Sequence, residues 1–188
     1  MLLTAGGIRD ALLASGESEG MDAHGSTEAA VLIPVFGLPE RPGIVFTKRR
    51  DDLRSHAGEI SFPGGRRDFP DEPLVDAALR EAHEEIGLDP GAVEMLGTLP
   101  PIGTFVTNYK VFPFVGAIPE GLAFRLSPQE VDSILELRVD DILAGYGRRR
   151  LVRRGVPFKM DTYDVAGELI WGATARILND FLRRVGAH

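Results

Sequence analysis

Phe62-Pro63-Gly64-Gly65-Arg66-Arg67-Asp68-Phe69-Pro70-Asp71-Glu72-Pro73-Leu74-Val75-Asp76-Ala77-Ala78-Leu79-Arg80-Glu81-Ala82-His83-Glu84-Glu85-Ile86-Gly87-Leu88 runs from a Gly-Gly turn into the best-bounded helix of the chain. Pro73 suits a first helical turn, Val75, Leu79, Ala82 and Ile86 recur at helical spacing, and Gly87 followed by Pro90 supplies the stop. At 3.6 residues per turn Glu81, Glu84 and Glu85 fall within an arc of about 100°. Like charges at i, i+4 cost roughly 0.2–0.5 kcal/mol per pair, a cost that a divalent cation removes. Hard carboxylate oxygens on a rigid helix suit magnesium or manganese, with water and phosphate oxygens filling the other positions. The turn before the helix exposes backbone N–H groups that either approach an anion or hold a sharp bend. A solvated acidic helix face is the plain alternative for the glutamates.

Outward from this stretch, strands outnumber helices. Ala29 to Phe36 and Gly43 to Lys48 are apolar runs separated by turn residues, and Glu59 to Phe62 reads as a further short strand. Downstream, Val93 to Leu99, Gly103 to Val106, Lys110 to Ile118, Ile134 to Val139, Val156 to Met160 and Leu169 to Trp171 read the same way. Ala173 to Val185 is an amphipathic helix with Ile177, Leu178, Phe181, Leu182 and Val185 on one side. Ile8 to Leu13 suits a short helix, and the polar, Gly-rich Gly16 to Thr27 a flexible loop ahead of a core starting near Glu28. The expected fold class is α/β (α+β), a mixed central β-sheet covered by helices, in a single domain over 1–188 with no repeat or internal linker.

The 188 residues are 44% hydrophobic and 26% charged with no cysteine, which excludes disulfide scaffolds, thiol nucleophiles and thiolate zinc sites. Such a chain buries roughly 70% of its extended surface and needs no staple. The net charge of −7 disfavours nucleic acid as a partner. No apolar stretch approaches the roughly 20 residues that span a bilayer, so no membrane association is expected. Met1 to Ala14 lacks a cationic start, which makes a cytoplasmic setting the default. Charge is unevenly spread: Gly65 to Leu88 holds seven acids against three bases, whereas Arg148, Arg149, Arg150, Arg153 and Arg154 crowd one short run. That polarity suits a cation together with an anionic substrate.

Gly65 to Leu88 resembles a Nudix box, Gly-x5-Glu-x7-Arg-Glu-U-x-Glu-Glu-x-Gly-U with U a bulky aliphatic. Arg80-Glu81-Ala82-His83-Glu84-Glu85-Ile86-Gly87-Leu88 matches throughout, except that Ala82 is small for U. Glu72 keeps its distance from Arg80, but Gly65 lies one residue too far upstream and Arg66 takes the expected Gly position. An upstream pattern resembles the coenzyme A pyrophosphatase subgroup, Leu-Leu-Thr-x-Arg-(Ser or Ala)-x3-Arg-x3-Gly-x3-Phe-Pro-Gly-Gly. Here Val45-Phe46-Thr47-Lys48-Arg49-Arg50, Arg54, Gly58 and Phe62-Pro63-Gly64-Gly65 keep every interval, and the longer loop is a habit of that subgroup. Ile170-Trp171-Gly172-Ala173-Thr174 is similar to the closing strand and helix of the family.

The resemblance implies a Nudix-like α/β/α sandwich and metal-dependent attack of water on the diphosphate of coenzyme A or a derivative, with Mg2+ or Mn2+ as cofactor. It implies Glu81, Glu84 and Glu85 as metal ligands and catalytic groups, with Arg80 holding a box carboxylate. Water's proton goes to a box glutamate or to Glu130, which alternatively closes a Ser-x-x-Glu capping box from Ser127 at a helix start. Arg49, Arg54, His56, Gly64 and Gly65 are the candidate substrate contacts. The arginine run 148–154 either greets the 3′-phosphate of coenzyme A or is a solvated loop. His24, His83 and His188 show no ligand pairing. The partner is a small molecule, and the protein a monomer or homodimer.

Three other functions compete. Gly16-Glu17-Ser18-Glu19-Gly20 spells Gly-x-Ser-x-Gly, but a nucleophile elbow needs a strand before the serine and a helix after it. The same chemistry serves ADP-ribose, a dinucleoside polyphosphate or an oxidised nucleotide. A non-catalytic nucleotide-binding module is the third, disfavoured by the retention of every box glutamate.

Overall fold

In a computed structural model, which describes residues 2–52, 58–104, 107–153 and 156–187, side chains of 151–153 and 156–158 excepted, the chain is a mixed α+β fold around a mixed sheet. Helix α1 (Ala5–Ala11) precedes β1 (Thr27–Phe36), β2 (Gly43–Arg49), β3 (Ile60–Ser61) and β4 (Gly64–Arg66). Then come α2 (Leu74–Ile86), β5 (Glu94–Thr98), β6 (Ile102–Gly103), β7 (Tyr109–Ala117) and β8 (Val131–Arg138). The last elements are α3 (Val139–Ala144), β9 (Tyr146–Arg153), β10 (Val156–Val165), β11 (Glu168–Ile170) and α4 (Gly172–Arg184).

The main sheet has the order β3-β2-β1-β7-β5, with β4 added to β1, β6 to β7 and β8 to β2. Among the described residues only β1 and β7 pair in parallel within it, and the side chains of these buried strands divide by the period-2 rule. Ala30, Leu32, Val45, Phe112 and Phe114 face α2, while Ile33, Val35, Ile44, Phe46 and Val115 face α4. The mixed central sheet is as expected, and β9, β10 and β11 add a separate antiparallel sheet that covers the second face together with α4.

Helix α2 buries Leu74, Ala77, Ala78, Ala82 and Ile86, and leaves Val75 and Leu79 only partly covered. Ala82, too small for the family pattern, is completely buried among large sheet residues, where a methyl lets the helix lie close to the sheet. Gly87 ends α2 at φ 67°, a left-handed position that glycine takes without a Cβ clash.

Several expectations need correction. Gly16 to Thr27 includes a 3-10 turn at Glu17–Gly20, and Ser18 is fully buried there against the Thr98 hydroxyl at 3.2 Å. Leu3 and Ile8 join the core, so packing begins well before Glu28. Residues 128–130 are a turn and Val131 opens β8, so no helix starts at Ser127: the edge of β2 offers a full ladder of partners and wins over local capping. Arg148 and Arg149 lie on β9 rather than in a loop, tied across to Asp161 at 3.0 Å and to Asp164. Of the expected strand at Gly103 to Val106 only Gly103 falls in one, and Phe105 and Val106 lie outside the described residues, as do Arg54, His56, Arg154 and His188. Among the described residues no helix is long and apolar enough to cross a membrane.

Candidate active site

The site forms where β4 passes over the middle of α2. Gly64 and Gly65 pair with Val31 and Ala30 of β1, which presses this segment against the helix beneath. A β-carbon at Gly65 would collide with the Glu81 carboxylate. The N–H of Gly64 donates to Glu85 Oε2 at 3.2 Å. The anion that this backbone N–H meets is thus the protein's own glutamate, and the two glycines let backbone approach the carboxylates.

The three glutamates do not share one exposed face. Side-chain exposure falls from 58% at Glu84 to 18% at Glu81 and 5% at Glu85. Burial raises Glu81 above the usual carboxylate range against the pull of Arg80. Burial also pushes Glu85 up to about 7, with the Gly64 N–H opposing and the Glu81 charge adding to the rise. Glu130 contributes repulsion to both. Its position follows from the chain around it: Ser127 N–H donates to Glu85 O at 2.8 Å at the end of α2, and Arg50 N–H donates to Glu130 O at 3.2 Å where β8 meets β2.

Arg80 is a hub. It donates to Glu72 Oε1 at 2.8 Å, to Glu81 Oε1 at 3.1 Å, to Glu84 Oε2 at 3.3 Å and to Arg66 O at 2.9 Å. Glu72, which spacing alone left without a role, is nearly buried and also accepts from Asp68 N at 2.7 Å. Arg80 holds the Glu72 carboxyl below its usual range. The signal in the sequence was the pairing of these two box positions, and their eight-residue separation spans the loop that only a folded structure closes.

Arg49 reaches the cluster from the opposite side. A β-bulge between Lys48 and Arg49 breaks the register of β2 with β8, and bulges re-aim side chains. Lys48 turns to Glu168 at 2.7 Å, and Arg49 Nη1 lies 3.9 Å from Glu85 Oε1. Arg49 Nε is buried and has no hydrogen-bond partner among the described residues.

As placed, no group of three or more acidic or histidine side chains among the described residues encloses a cation. The donor set nonetheless fits a hard divalent ion. Glu85 is a buried carboxylate and Glu81 a half-buried one, the charge of Glu130 acts on both, Gly65 lets backbone lie against the Glu81 carboxylate, and all donors are oxygens. Glu84 is tied to Arg80, away from Glu85's pocket under Gly64.

The profile of the NUDIX domain matches residues 26–154, more than half of the chain. Proteins described as uncharacterized Nudix hydrolase NudL, from Salmonella paratyphi B and Salmonella newport, are 41% identical over 161 residues, covering 85% of this chain and 83% of theirs. Among solved structures, the Nudix hydrolase RenU of M. smegmatis has a TM-score of 0.60 at 17% identity, covering 93% of each chain. The MutT protein of Methanosarcina mazei has a TM-score of 0.55 at 17% identity, over 85% of this chain and 92% of that one. Those structures share the fold, and the domain match together with the sequence identity to the NudL proteins establishes that the chain belongs to the Nudix hydrolase family.

Proposed function

We propose that this Nudix hydrolase cleaves the diphosphate of coenzyme A or a derivative, releasing adenosine 3′,5′-bisphosphate and 4′-phosphopantetheine or its acylated form. The observation that carries the chemistry is the packing of half-buried Glu81 and buried Glu85 of α2 against the Gly64-Gly65 segment, with the charge of Glu130 acting on both. The coenzyme A signature from Val45 to Gly65 supports the substrate, and its Arg49 lies at that same cluster.

Glu81 and Glu85 would hold Mg2+ or Mn2+, with Glu84 reaching the ion through water. The bound ion supplies neutralisation of phosphate charge and a lowered pKa for attacking water. The chain's own groups do the rest. Arg80 fixes Glu81 on the helix, and Arg49, whose Nε is unpaired among the described residues, offers its guanidinium to a phosphate oxygen. Glu130 or a box carboxylate takes the proton as the water oxygen bonds to phosphorus and the bridging P–O bond breaks.

Incubation of the purified chain with coenzyme A and either metal, with product identification by mass spectrometry, tests this directly. Both products are expected, and Glu81→Gln and Glu85→Gln should each lower kcat by about 10²-fold or more. Turnover of ADP-ribose or another nucleotide with none of coenzyme A would overturn the substrate and keep the chemistry. No metal-dependent product from any nucleoside diphosphate derivative would favour a binding module.

A further inference from the structure

We propose that Arg49 occupies the electrostatic place of a cation at Glu85 while the site is empty, opposing metal entry until a phosphate draws its guanidinium away. The inference rests on the reading of Glu85 as a metal ligand and makes Arg49 a positioning residue for the ion as well as a substrate contact.

Two arginines serve this cluster in opposite ways. Arg80 is saturated, with donors on Glu72, Glu81, Glu84 and the Arg66 carbonyl, all within 3.3 Å. Arg49 touches Glu85 only at 3.9 Å, beyond hydrogen-bond reach, and its buried Nε has no acceptor among the described residues. A guanidinium built to anchor Glu85 would sit as Arg80 sits on Glu72. Arg49 instead faces the carboxylate as a nearby charge without a hydrogen bond to it, and its Nε donor is unpaired among the described residues.

The oxygens of Glu85 divide the same way. Oε2 accepts from Gly64 N–H, and Oε1 is the one facing Arg49. A divalent ion arriving at Oε1 therefore meets a neighbouring positive charge, and a doubly charged ion feels that repulsion twice as strongly as a proton does. An oxyanion between ion and guanidinium turns the repulsion into two attractions. Metal and phosphate should accordingly bind with positive coupling, and Arg49 should carry a share of it.

The test titrates Mn2+ into full-length protein without nucleotide, at one fixed pH for all variants, following the free-ion signal by electron paramagnetic resonance. Arg49→Ala is expected to bind Mn2+ about 3–10-fold more tightly than wild type, and Arg49→Lys, which keeps the charge, within about twofold of it. Adding adenosine diphosphate as the phosphate probe should tighten Mn2+ binding to wild type more than to Arg49→Ala. Arg49→Gln repeats the measurement if the alanine variant melts well below wild type. Unchanged or weaker Mn2+ binding in the folded neutral variants overturns the inference and leaves the proposed function standing. Wild-type protein that takes up no Mn2+, with or without adenosine diphosphate, overturns both.

Discussion

At the scale of single residues, the site stores unfavourable electrostatics in one glutamate and relieves it in another. Glu72 has its pKa depressed by Arg80, so its contribution to stability is present above the ordinary carboxylate range and is lost as pH falls through its lowered value. Glu72→Gln should flatten that acid limb in thermal melts below the ordinary carboxylate range, and Glu72→Ala, which removes one of several partners of Arg80, should cost about 1–3 kcal/mol at pH 7 by denaturant titration. Glu85 has the opposite sign, since burial of its charge opposes folding once it ionises. In chelator-treated protein at pH 8, Glu85→Gln is therefore expected to melt higher than wild type while losing activity, a trade common where function requires a strained group. A lower melting temperature for Glu85→Gln would mean that the carboxylate is a structural anchor. Glu81 and Glu85 were legible as candidates from spacing. Their burial was not, because it depends on β4 crossing α2, which no local pattern announces.

Elements were legible where local signals agreed with packing and illegible where tertiary pairing overrode them. Helix α2 shows the agreement: Pro73, the apolar spacing and Gly87 fix its ends, and the small Ala82 belongs to a tight helix-sheet contact. Ala82→Leu should overpack that contact and cost about 1–3 kcal/mol, measured by chemical denaturation, with activity falling because the helix carrying Glu81 and Glu85 must move. Gly65→Ala probes the other side of the crossing. What must shift is the carboxylate end of the Glu81 side chain and not backbone, so stability should change by about 1 kcal/mol while kcat falls at least tenfold. The arginines of β9 and the segment from Ser127 show the override. Five arginines in a short run give no alternation to read, and Ser127 to Glu130 has a helix-start signature, yet Asp161 and Asp164 on β10 and the free edge of β2 made both regions strand or strand approach.

For the molecule as a whole, the two faces of the main sheet divide labour, and this division explains why the N-terminal segment matters. One face carries α2 and the candidate site, and the other is sealed by α4, the small sheet and residues ahead of β1. Leu3 and Ile8 enter this second core, Leu3 N–H donates to Pro39 O at 3.2 Å, and Leu13 pairs with Thr98 of β5. Composition hid this, because two buried aliphatic residues in a Gly-rich stretch look the same in sequence whether they pack or not. Removing residues 1–14 should cost about 3–6 kcal/mol, the transfer free energy of two fully buried aliphatic side chains, and Leu3→Ala with Ile8→Ala should reproduce most of that loss in the full-length chain. The face opposite α2 bears the damage, so the folded fraction of the truncated protein should keep a near-normal KM while its denaturation midpoint drops. Equal midpoints for the truncated and full-length chains would show that the segment rests on the core without supporting it.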